Sequence, residues 1–154
     1  MIPIRFVLAT VLLGTPAEVR AADTAKPSKP NILFIFSDDH SCQSIGAYRS
    51  WLSAFMREQK LTPNIDRLAE QGVVFDQSFC GNSICSPSRA TVLSGVHTHI
   101  NGVTHLGGSI RDGVWTFPPA LQAAGYQTAL IGKWHLGNDP AGFDFYRVLP
   151  GQGA

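Results

Sequence analysis

The chain has 154 residues, a formal net charge of +1 and a hydrophobic content of 44%. This length suits one domain and is short for two, and the composition is that of a globular protein rather than a disordered tail. A net charge so close to zero argues against a broad nucleic-acid footprint, so any anion site must be local and built from a few placed groups.

The N-terminus predicts export. Arg5 precedes an apolar run over residues 6–13, and small residues near Ala21 offer a cleavage point, which is the pattern of a secretory signal peptide over residues 1–21. A membrane anchor and a buried strand are the alternatives. The run is well short of the roughly 20 residues that span a bilayer, so we expect no stable membrane anchor. Residues 22–30 have the composition of a flexible leader. We therefore expect a periplasmic or secreted protein.

The first predicted element of the fold is a buried strand. Residues 31–37 form a continuous apolar run, which is typical of a strand covered on both faces, and Asp38 and Asp39 follow at its carboxyl end. Open α/β sheets place ligands at that end of their strands. Two carboxylates that turn toward the same point there can hold a hard cation such as calcium, whereas a solvated turn is the alternative.

A helix and a second strand are predicted next. Residues 62–71 show the apolar spacing of a helix, with Pro63 at the start and Gly72 as the stop. Residues 73–79 read as a strand. This strand would lead into the loop that holds Cys85.

The chain has three cysteines, so at least one stays unpaired within it. A disulfide between Cys42 and Cys80 would leave Cys85 free, whereas a disulfide between Cys80 and Cys85 would remove the Cys85 thiol. No further cysteine or histidine stands at zinc-ligand spacing from the latter pair, so we expect no structural zinc site.

The segment that starts at Cys85 predicts a helix beginning at an anion site. Ser86 can cap this helix, Pro87 suits its first turn and Gly95 suits its end. The start of such a helix aims unpaired N–H groups and a positive dipole at whatever lies beside Cys85. Arg89 lies one turn along, so its guanidinium can reach the same point. These groups indicate chemistry on a sulfate or phosphate ester; a buried structural cysteine and a surface salt bridge are the alternatives.

A third helix and strand precede a lysine and a histidine. Residues 116–124 predict a helix that ends at Gly125, and residues 126–131 predict a strand. Lys133 and His135 follow two positions apart, so on an extended segment they share one face. Both can then reach an anion, Lys133 to stabilise charge and His135 as a hydrogen-bond partner of the nucleophile. Solvent exposure is the ordinary alternative for both.

Strands that alternate with helices predict an α/β fold with a mostly parallel sheet sandwiched by helices. The carboxyl ends of parallel strands share an edge, so we expect the three groups of polar residues to meet there. The remaining histidines stand outside any metal-ligand spacing, so we expect them at the surface or at helix caps: His40, His97, His99 and His105.

Residues 85–89, Cys-Ser-Pro-Ser-Arg, and the Leu-Ser-Gly that trails them resemble the signature of the type I, formylglycine-dependent sulfatases of the alkaline-phosphatase superfamily. Residues 31–39 resemble the first strand and metal pair of that family, and residues 132–137 resemble its Lys-x-His element. The three motifs occur in the family's order, which makes the match far more specific than any one of them.

The resemblance implies an alkaline-phosphatase-like fold and a set of roles. Cys85 would be oxidised before folding to formylglycine by a maturation enzyme, and the hydrated aldehyde would be the nucleophile. Calcium would be bound by Asp38, Asp39 and the residue at position 85. Arg89 would hold the formylglycine hydroxyl, while the Lys-x-His element contacts the sulfate.

The implied activity is that of a sulfuric ester hydrolase that removes sulfate from a sulfated glycan. A phosphonate or phosphate monoester hydrolase of the same superfamily and a non-catalytic exported anion-binding module are the alternatives. Family sulfatases are several times longer and carry a second metal-ligand pair downstream. We therefore expect residues 31–154 to be the N-terminal part of a catalytic domain, inactive alone, and we expect no nucleic-acid partner.

Overall fold

The computed structural model describes residues 29–153. The predicted signal peptide, residues 1–21, lies outside the described residues. Residues 22–28 of the predicted leader also lie outside them. The chain divides after Phe36 into two units, and residues 29–36 of the first unit form neither a helix nor a strand. No helix of the described part combines the length and the apolar character that crossing a membrane requires.

The second unit contains, within its described residues, five α-helices, two β-strands and a 3₁₀ turn at Cys42–Ser44. The helices are α1 (Ser53–Glu58), α2 (Pro63–Gln71), α3 (Cys85–Ser94), α4 (Thr98–Asn101) and α5 (Phe117–Ala123). The strands are β1 (Ala129–Lys133) and β2 (Phe145–Leu149).

The buried strand predicted at residues 31–37 is not formed, so that prediction is wrong. The apolar side chains of this run are exposed, with Leu33 84% and Ile35 73% accessible. The rings of Phe34 and Phe36 stack on each other, with centroids 6.2 Å apart. A strand satisfies its backbone N–H and C=O groups through a neighbouring strand, and the sheet of the described residues contains only β1 and β2.

The strand predicted at residues 73–79 is also wrong. A turn that begins at Asp76 interrupts this run, and Val73 and Phe79 are 77% and 87% exposed. The helix predicted just before it is confirmed as α2, which begins at Pro63, where a fixed φ angle suits the first turn. Local helix signals were sufficient here, whereas strand pairing depends on partners that the local sequence does not contain.

The helix predicted at residues 116–124 is confirmed as α5, whereas the strand predicted at residues 126–131 is shifted, because β1 begins at Ala129. The shift has a local cause at Thr128. The Asp144 carboxylate accepts hydrogen bonds from the Thr128 N–H at 2.7 Å and from its hydroxyl at 3.1 Å. The backbone donor of Thr128 is therefore engaged by a side chain, and the ladder starts one residue later.

The two strands pair in parallel, in register from Ala129 with Phe145 to Lys133 with Leu149. β2 was not among the predicted elements. Because parallel strands end at the same edge of a sheet, the segments after Lys133 and after Leu149 leave the sheet side by side. The α/β class and the parallel pairing expected from the sequence are confirmed for this part of the chain.

The core of the second unit lies around α3. This helix packs against α4 and α5, and the buried apolar side chains include Ala90, Val103 and Trp134. Gly95 ends α3 with a φ of 69°, in the left-handed region that favours glycine, and its N–H bonds to the Thr91 carbonyl at 2.8 Å. α3 is thus held on its sides and closed at its end, which fixes the position of its first turn.

Candidate active site

The fold brings most of the predicted site residues together at the start of α3. Lys133 Nζ lies 2.7 Å from Asp38 Oδ2, and Arg89 Nη2 lies 3.4 Å from Asp38 Oδ1. The Cys85 Sγ atom lies 3.8 Å from Asp38 Oδ1 and 3.6 Å from Lys133 Nζ. Two cations and a thiol therefore lie within 3.8 Å of one carboxylate, although the four residues come from separate parts of the sequence.

Ser86 does not cap α3, contrary to the prediction. The helix begins at Cys85 with Ile84 as its N-cap residue, two residues earlier than a cap at Ser86 implies. The buried Ser86 hydroxyl instead donates to the His135 carbonyl oxygen at 2.5 Å and accepts from the Gly107 N–H at 2.9 Å. Tertiary hydrogen bonds, rather than a cap, use this hydroxyl, so Cys85 lies inside the first turn of the helix.

The first turn of α3 presents backbone donors beside the thiol. The first bond of the helix runs from the Ser88 N–H to the Ile84 carbonyl at 2.8 Å, and Pro87 has no N–H. The N–H groups of Cys85 and Ser86 therefore precede the helical bonds, as the leading N–H groups of any helix do. Together with the helix dipole, they favour an anion at this end.

Arg89 connects α3 to the end of β1. Its Nη1 donates to the Lys133 carbonyl oxygen at 2.7 Å, and its Nη2 pairs with Asp38. The side chain is only 11% exposed, so little solvent competes for the guanidinium. The structure therefore brings Arg89 to the point that its spacing from Cys85 predicted.

Asp38 and Lys133 shift each other's pKa in opposite directions. The hydrogen bond from Lys133 lowers the pKa of Asp38 below its ordinary 3.8, against the opposing effect of burial, and the positive charges of Lys133 and Arg89 contribute to the lowering. The hydrogen bond to Asp38 raises the pKa of Lys133 above its ordinary 10.5, and the neighbouring Cys85 adds to the rise. Both groups therefore stay charged across the neutral pH range.

His135 follows β1 in a strained backbone conformation. Its φ is 54°, in the left-handed region that non-glycine residues rarely adopt. Its Nδ1 atom is buried and has no hydrogen-bond partner among the described residues. Because an unpaired buried nitrogen is costly, we expect a bound group or a further part of the protein to supply that partner. The structure ties His135 to α3 through the bond between its carbonyl and Ser86.

Asp39 stands apart from the other site residues. It is exposed, its φ is 52°, and its side chain makes no hydrogen bond or ion pair with any residue that the structure describes. Within residues 29–153 no three His, Cys, Asp or Glu side chains converge as a metal-binding group. Asp38 and Asp39 fit calcium in kind, since calcium takes oxygen ligands, but two side chains fall short of the roughly six to eight ligands that it uses.

The three cysteines are free thiols, so neither disulfide considered from the sequence is formed. Cys42 and Cys80 are exposed, and Cys85 is partly buried. His97 and His99 stack their rings with centroids 6.0 Å apart. None of the histidines that the sequence left unassigned joins a metal-binding group in the described part of the chain.

Ser86 and Gly107 form the contacts that the sequence reasoning missed. The only signal was the position of Ser86 directly after Cys85, and a serine there predicts a helix cap equally well. The fold alone shows that Gly107 and His135 lie within reach of the hydroxyl.

The sulfatase family model matches residues 30–152, so this chain belongs to the sulfatase family. The matched range includes every site residue described above. The family resemblance that the three motifs indicated is therefore confirmed.

The chain is similar to curated sulfatases along most of its length. It is 41% identical over 148 residues to the N-acetylglucosamine-6-O-sulfatase of Bacteroides thetaiotaomicron, and the aligned region covers 93% of this chain and 25% of that protein. It is 38% identical over 141 residues to arylsulfatase G of Rattus norvegicus, which covers 84% of this chain and 25% of that protein.

Solved structures show the same relationship. A protein in complex with its substrate D-glucosamine-2-N,6-O-disulfate matches with a TM-score of 0.70 and 43% identity, over 80% of this chain and 24% of that one. A second structure, from work on glycosaminoglycan metabolism by Bacteroides thetaiotaomicron, matches with a TM-score of 0.64 and 32% identity. This match covers 80% of this chain and 28% of that one. The chain spans about a quarter of the length of the relatives it matches.

Proposed function

We propose that the enzyme containing this chain, called the intact enzyme below, is a sulfuric ester hydrolase that removes sulfate from a sulfated glycan. The observation that carries the proposal is the position of Cys85 in the first turn of α3. Lys133 Nζ lies 3.6 Å from the Cys85 sulfur, and Lys133 and Arg89 both form ion pairs with the Asp38 carboxylate. The name of one relative, an N-acetylglucosamine-6-O-sulfatase, and the D-glucosamine-2-N,6-O-disulfate bound in a similar solved structure favour a 6-O-sulfated amino sugar as the substrate.

The site suits a sulfate ester because its positive groups are already in place. Arg89 and Lys133 are 11% and 15% exposed, so both cations are held at the site and are partly shielded from water. The first N–H groups of α3 add donors from a fixed direction. Negative charge that develops on sulfate oxygens as the ester bond breaks is then stabilised without rearrangement of the site, which is the usual source of the largest rate effects.

The proposal includes a formylglycine at position 85, made by a maturation enzyme, and a calcium ion held by Asp38, Asp39 and residue 85. When present, they supply a hydrated aldehyde as nucleophile and a positive charge for the sulfate. Lys133 Nζ lies 3.6 Å from the Cys85 sulfur, the atom that the modification replaces by oxygen, so Lys133 is placed to hydrogen-bond the group at that position. His135, two residues further on, is the proposed hydrogen-bond partner of the nucleophile.

The test is to produce the intact enzyme in a host that makes formylglycine and to follow residue 85 and sulfate release together. Peptide mass spectrometry is expected to show the aldehyde at position 85, and ion chromatography is expected to show calcium-dependent sulfate release from N-acetylglucosamine-6-sulfate. An unmodified Cys85 together with anion binding and no turnover would contradict the proposal and support an anion-binding module.

A phosphate monoester hydrolase is the second activity to measure, because a guanidinium and an ammonium attract phosphate as well as sulfate. Assays with an aryl sulfate and the matching aryl phosphate compare the two directly. Faster hydrolysis of the phosphate would contradict the assignment to sulfate esters.

We also propose that the protein is exported to the periplasm or secreted, on the basis of the signal-like pattern over residues 1–21. Fractionation of the native host, with N-terminal sequencing of the mature protein, tests this. Recovery from the cytoplasm with the N-terminus uncleaved would contradict it.

A further inference from the structure

The hydroxyl of Ser86 joins three segments next to the proposed nucleophile. Ser86 is completely buried, and its hydroxyl donates to the His135 carbonyl at 2.5 Å while it accepts from the Gly107 N–H at 2.9 Å. The first segment is α3, the second follows β1, and the third is the loop that follows α4. The Ser86 side chain therefore connects α3 both to the segment that follows β1 and to the loop that follows α4.

The segment that follows β1 has a backbone that needs such support. His135 has a φ of 54°, and a non-glycine residue keeps that conformation only where its surroundings hold it there. α3 holds both ends of the three-residue segment, because Arg89 donates to the Lys133 carbonyl at 2.7 Å and Ser86 donates to the His135 carbonyl. α3 thus positions the backbone of His135, and this backbone determines where the imidazole lies.

The loop at Gly107 closes against the same segment. The Gly137 N–H bonds to the Gly108 carbonyl at 3.0 Å, and a Cβ at Gly137 would lie 2.6 Å from the Gly107 carbonyl oxygen. The two loops therefore approach within backbone contact, and Ser86 bridges them at their base. Loss of the hydroxyl would leave the Gly107 N–H and the His135 carbonyl without this partly buried hydrogen-bond partner, and we expect the segment to relax.

We propose that Ser86 is a positioning residue, whose hydroxyl holds the His135 backbone so that the imidazole is aligned with the group at position 85. This rests on the proposed function, because it assigns His135 a role in sulfate ester hydrolysis. Ser86 touches no substrate in this proposal and acts only through His135. Its removal is therefore expected to affect the chemical step far more than substrate binding.

The chain offers a matched control for the obvious variant. Ser94 lies on the same helix, is 4% exposed, and donates its hydroxyl to the Ala90 carbonyl at 2.6 Å, away from the segment that follows β1. Ser86→Ala and Ser94→Ala each remove one buried hydroxyl from α3, so both are expected to lower the melting temperature. Only Ser86→Ala is expected to lower kcat, by about tenfold or more, with KM changed far less.

The experiment uses the intact enzyme with N-acetylglucosamine-6-sulfate, and kcat is expressed per molecule that carries formylglycine, as measured by peptide mass spectrometry. This removes any effect of Ser86 on the maturation step. Ser86→Thr, which keeps a hydroxyl, is the second variant and is expected to retain kcat within about threefold of the unchanged enzyme, so the proposal stays testable if Ser86→Ala does not fold.

The decisive measurement is a double-mutant cycle with His135→Ala. If Ser86 acts through His135, Ser86→Ala is expected to cause less than about a twofold further loss of kcat in the His135→Ala background. A tenfold loss that persists in that background overturns the proposal, as does a Ser86→Ala variant whose kcat equals that of Ser94→Ala. Failure of the proposed function looks different, because the unchanged enzyme then releases no sulfate.

Discussion

The basic and the acidic sides of the candidate site are built differently. Arg89 and Lys133 are 11% and 15% exposed, and Arg89 is bonded to the backbone at the end of β1. Asp38 is 38% exposed and is held through those two cations, while Asp39 is exposed and makes no polar contact with any described residue. The cation geometry is therefore preorganised by α3 and β1, whereas we expect the Asp39 carboxylate to become ordered through a bound ion or further ligands.

Preorganisation of the cations matters more than the strength of any ion pair. Ion pairs with a partly exposed partner contribute little to folding stability, because water and salt screen them. Cations held in advance of the reaction, however, need not be ordered during it. We therefore expect changes on the basic side to alter kcat and changes on the acidic side to alter the affinity for calcium.

The largest effect is expected where both sides meet, at Cys85. In the intact enzyme, Cys85→Ala is expected to lower kcat/KM by about 10⁴-fold or more, as removal of a catalytic nucleophile does in other hydrolases. The melting temperature should change little, since the closest polar contacts of Sγ are 3.6 and 3.8 Å long. Cys80→Ala, a change of an exposed cysteine, is the control and should retain activity. Turnover by Cys85→Ala would refute the nucleophile assignment.

A change on the basic side comes next. Lys133→Met is expected to lower kcat by about 100-fold, because it removes a fixed cation from the reacting group while keeping the length of the side chain. Steady-state kinetics on an aryl sulfate measure this, with Lys60→Met at an exposed position as the control. An unchanged kcat with a higher KM would show that Lys133 only attracts the substrate. That result would contradict the expectation that changes on the basic side alter kcat.

A change on the acidic side is expected to be smaller and of another kind. Asp39→Asn should weaken calcium binding by about tenfold or more, since it removes one charged oxygen ligand. Calorimetric titration of calcium into the metal-free intact enzyme measures this, and Asp76→Asn in the exposed turn is the control. Equal calcium affinity for the two variants would mean that Asp39 belongs to an ordinary turn. The metal-free melting temperature is expected to be unaffected.

The smallest effect is expected away from the site, at Asp144. The hydrogen bond from the Thr128 N–H, with further bonds from the Thr128 hydroxyl and from Gln122, lowers the pKa of Asp144 below 3.8. A lowered pKa in the folded state stabilises the fold above pH 3.8, and this contribution is lost as the pH falls through the folded value. Asp144→Asn should therefore have a slightly lower melting temperature at neutral pH.

The pH dependence distinguishes this role from a general surface effect. The difference in melting temperature between the unchanged protein and Asp144→Asn is expected to shrink as the pH is lowered below 3.8. Thermal unfolding followed by circular dichroism over that range measures it. A difference that stays constant with pH would contradict a role for the ionised carboxylate.

The sequence predicted the site more fully than the sheet. Cys85, Arg89 and Lys133 were assigned from motifs, and the structure places all three around Asp38. The strands expected at residues 31–37 and 73–79 are not formed among the described residues. An apolar run shows that burial is favourable, but it does not contain the strand that must pair with it.

The sequence by itself determined the family, the presence of the three helices α2, α3 and α5, with the start of α3 two residues too late, and the residue types that meet at position 85. Helix bonds join residues four apart, so prolines, glycines and apolar spacing are sufficient to locate them. Only the tertiary structure decided that Ser86 bonds to His135 instead of capping its helix, and that β2 pairs with β1. Those contacts join residues far apart in the chain, and a hydroxyl or a strand edge bonds to whichever partner the fold brings within reach.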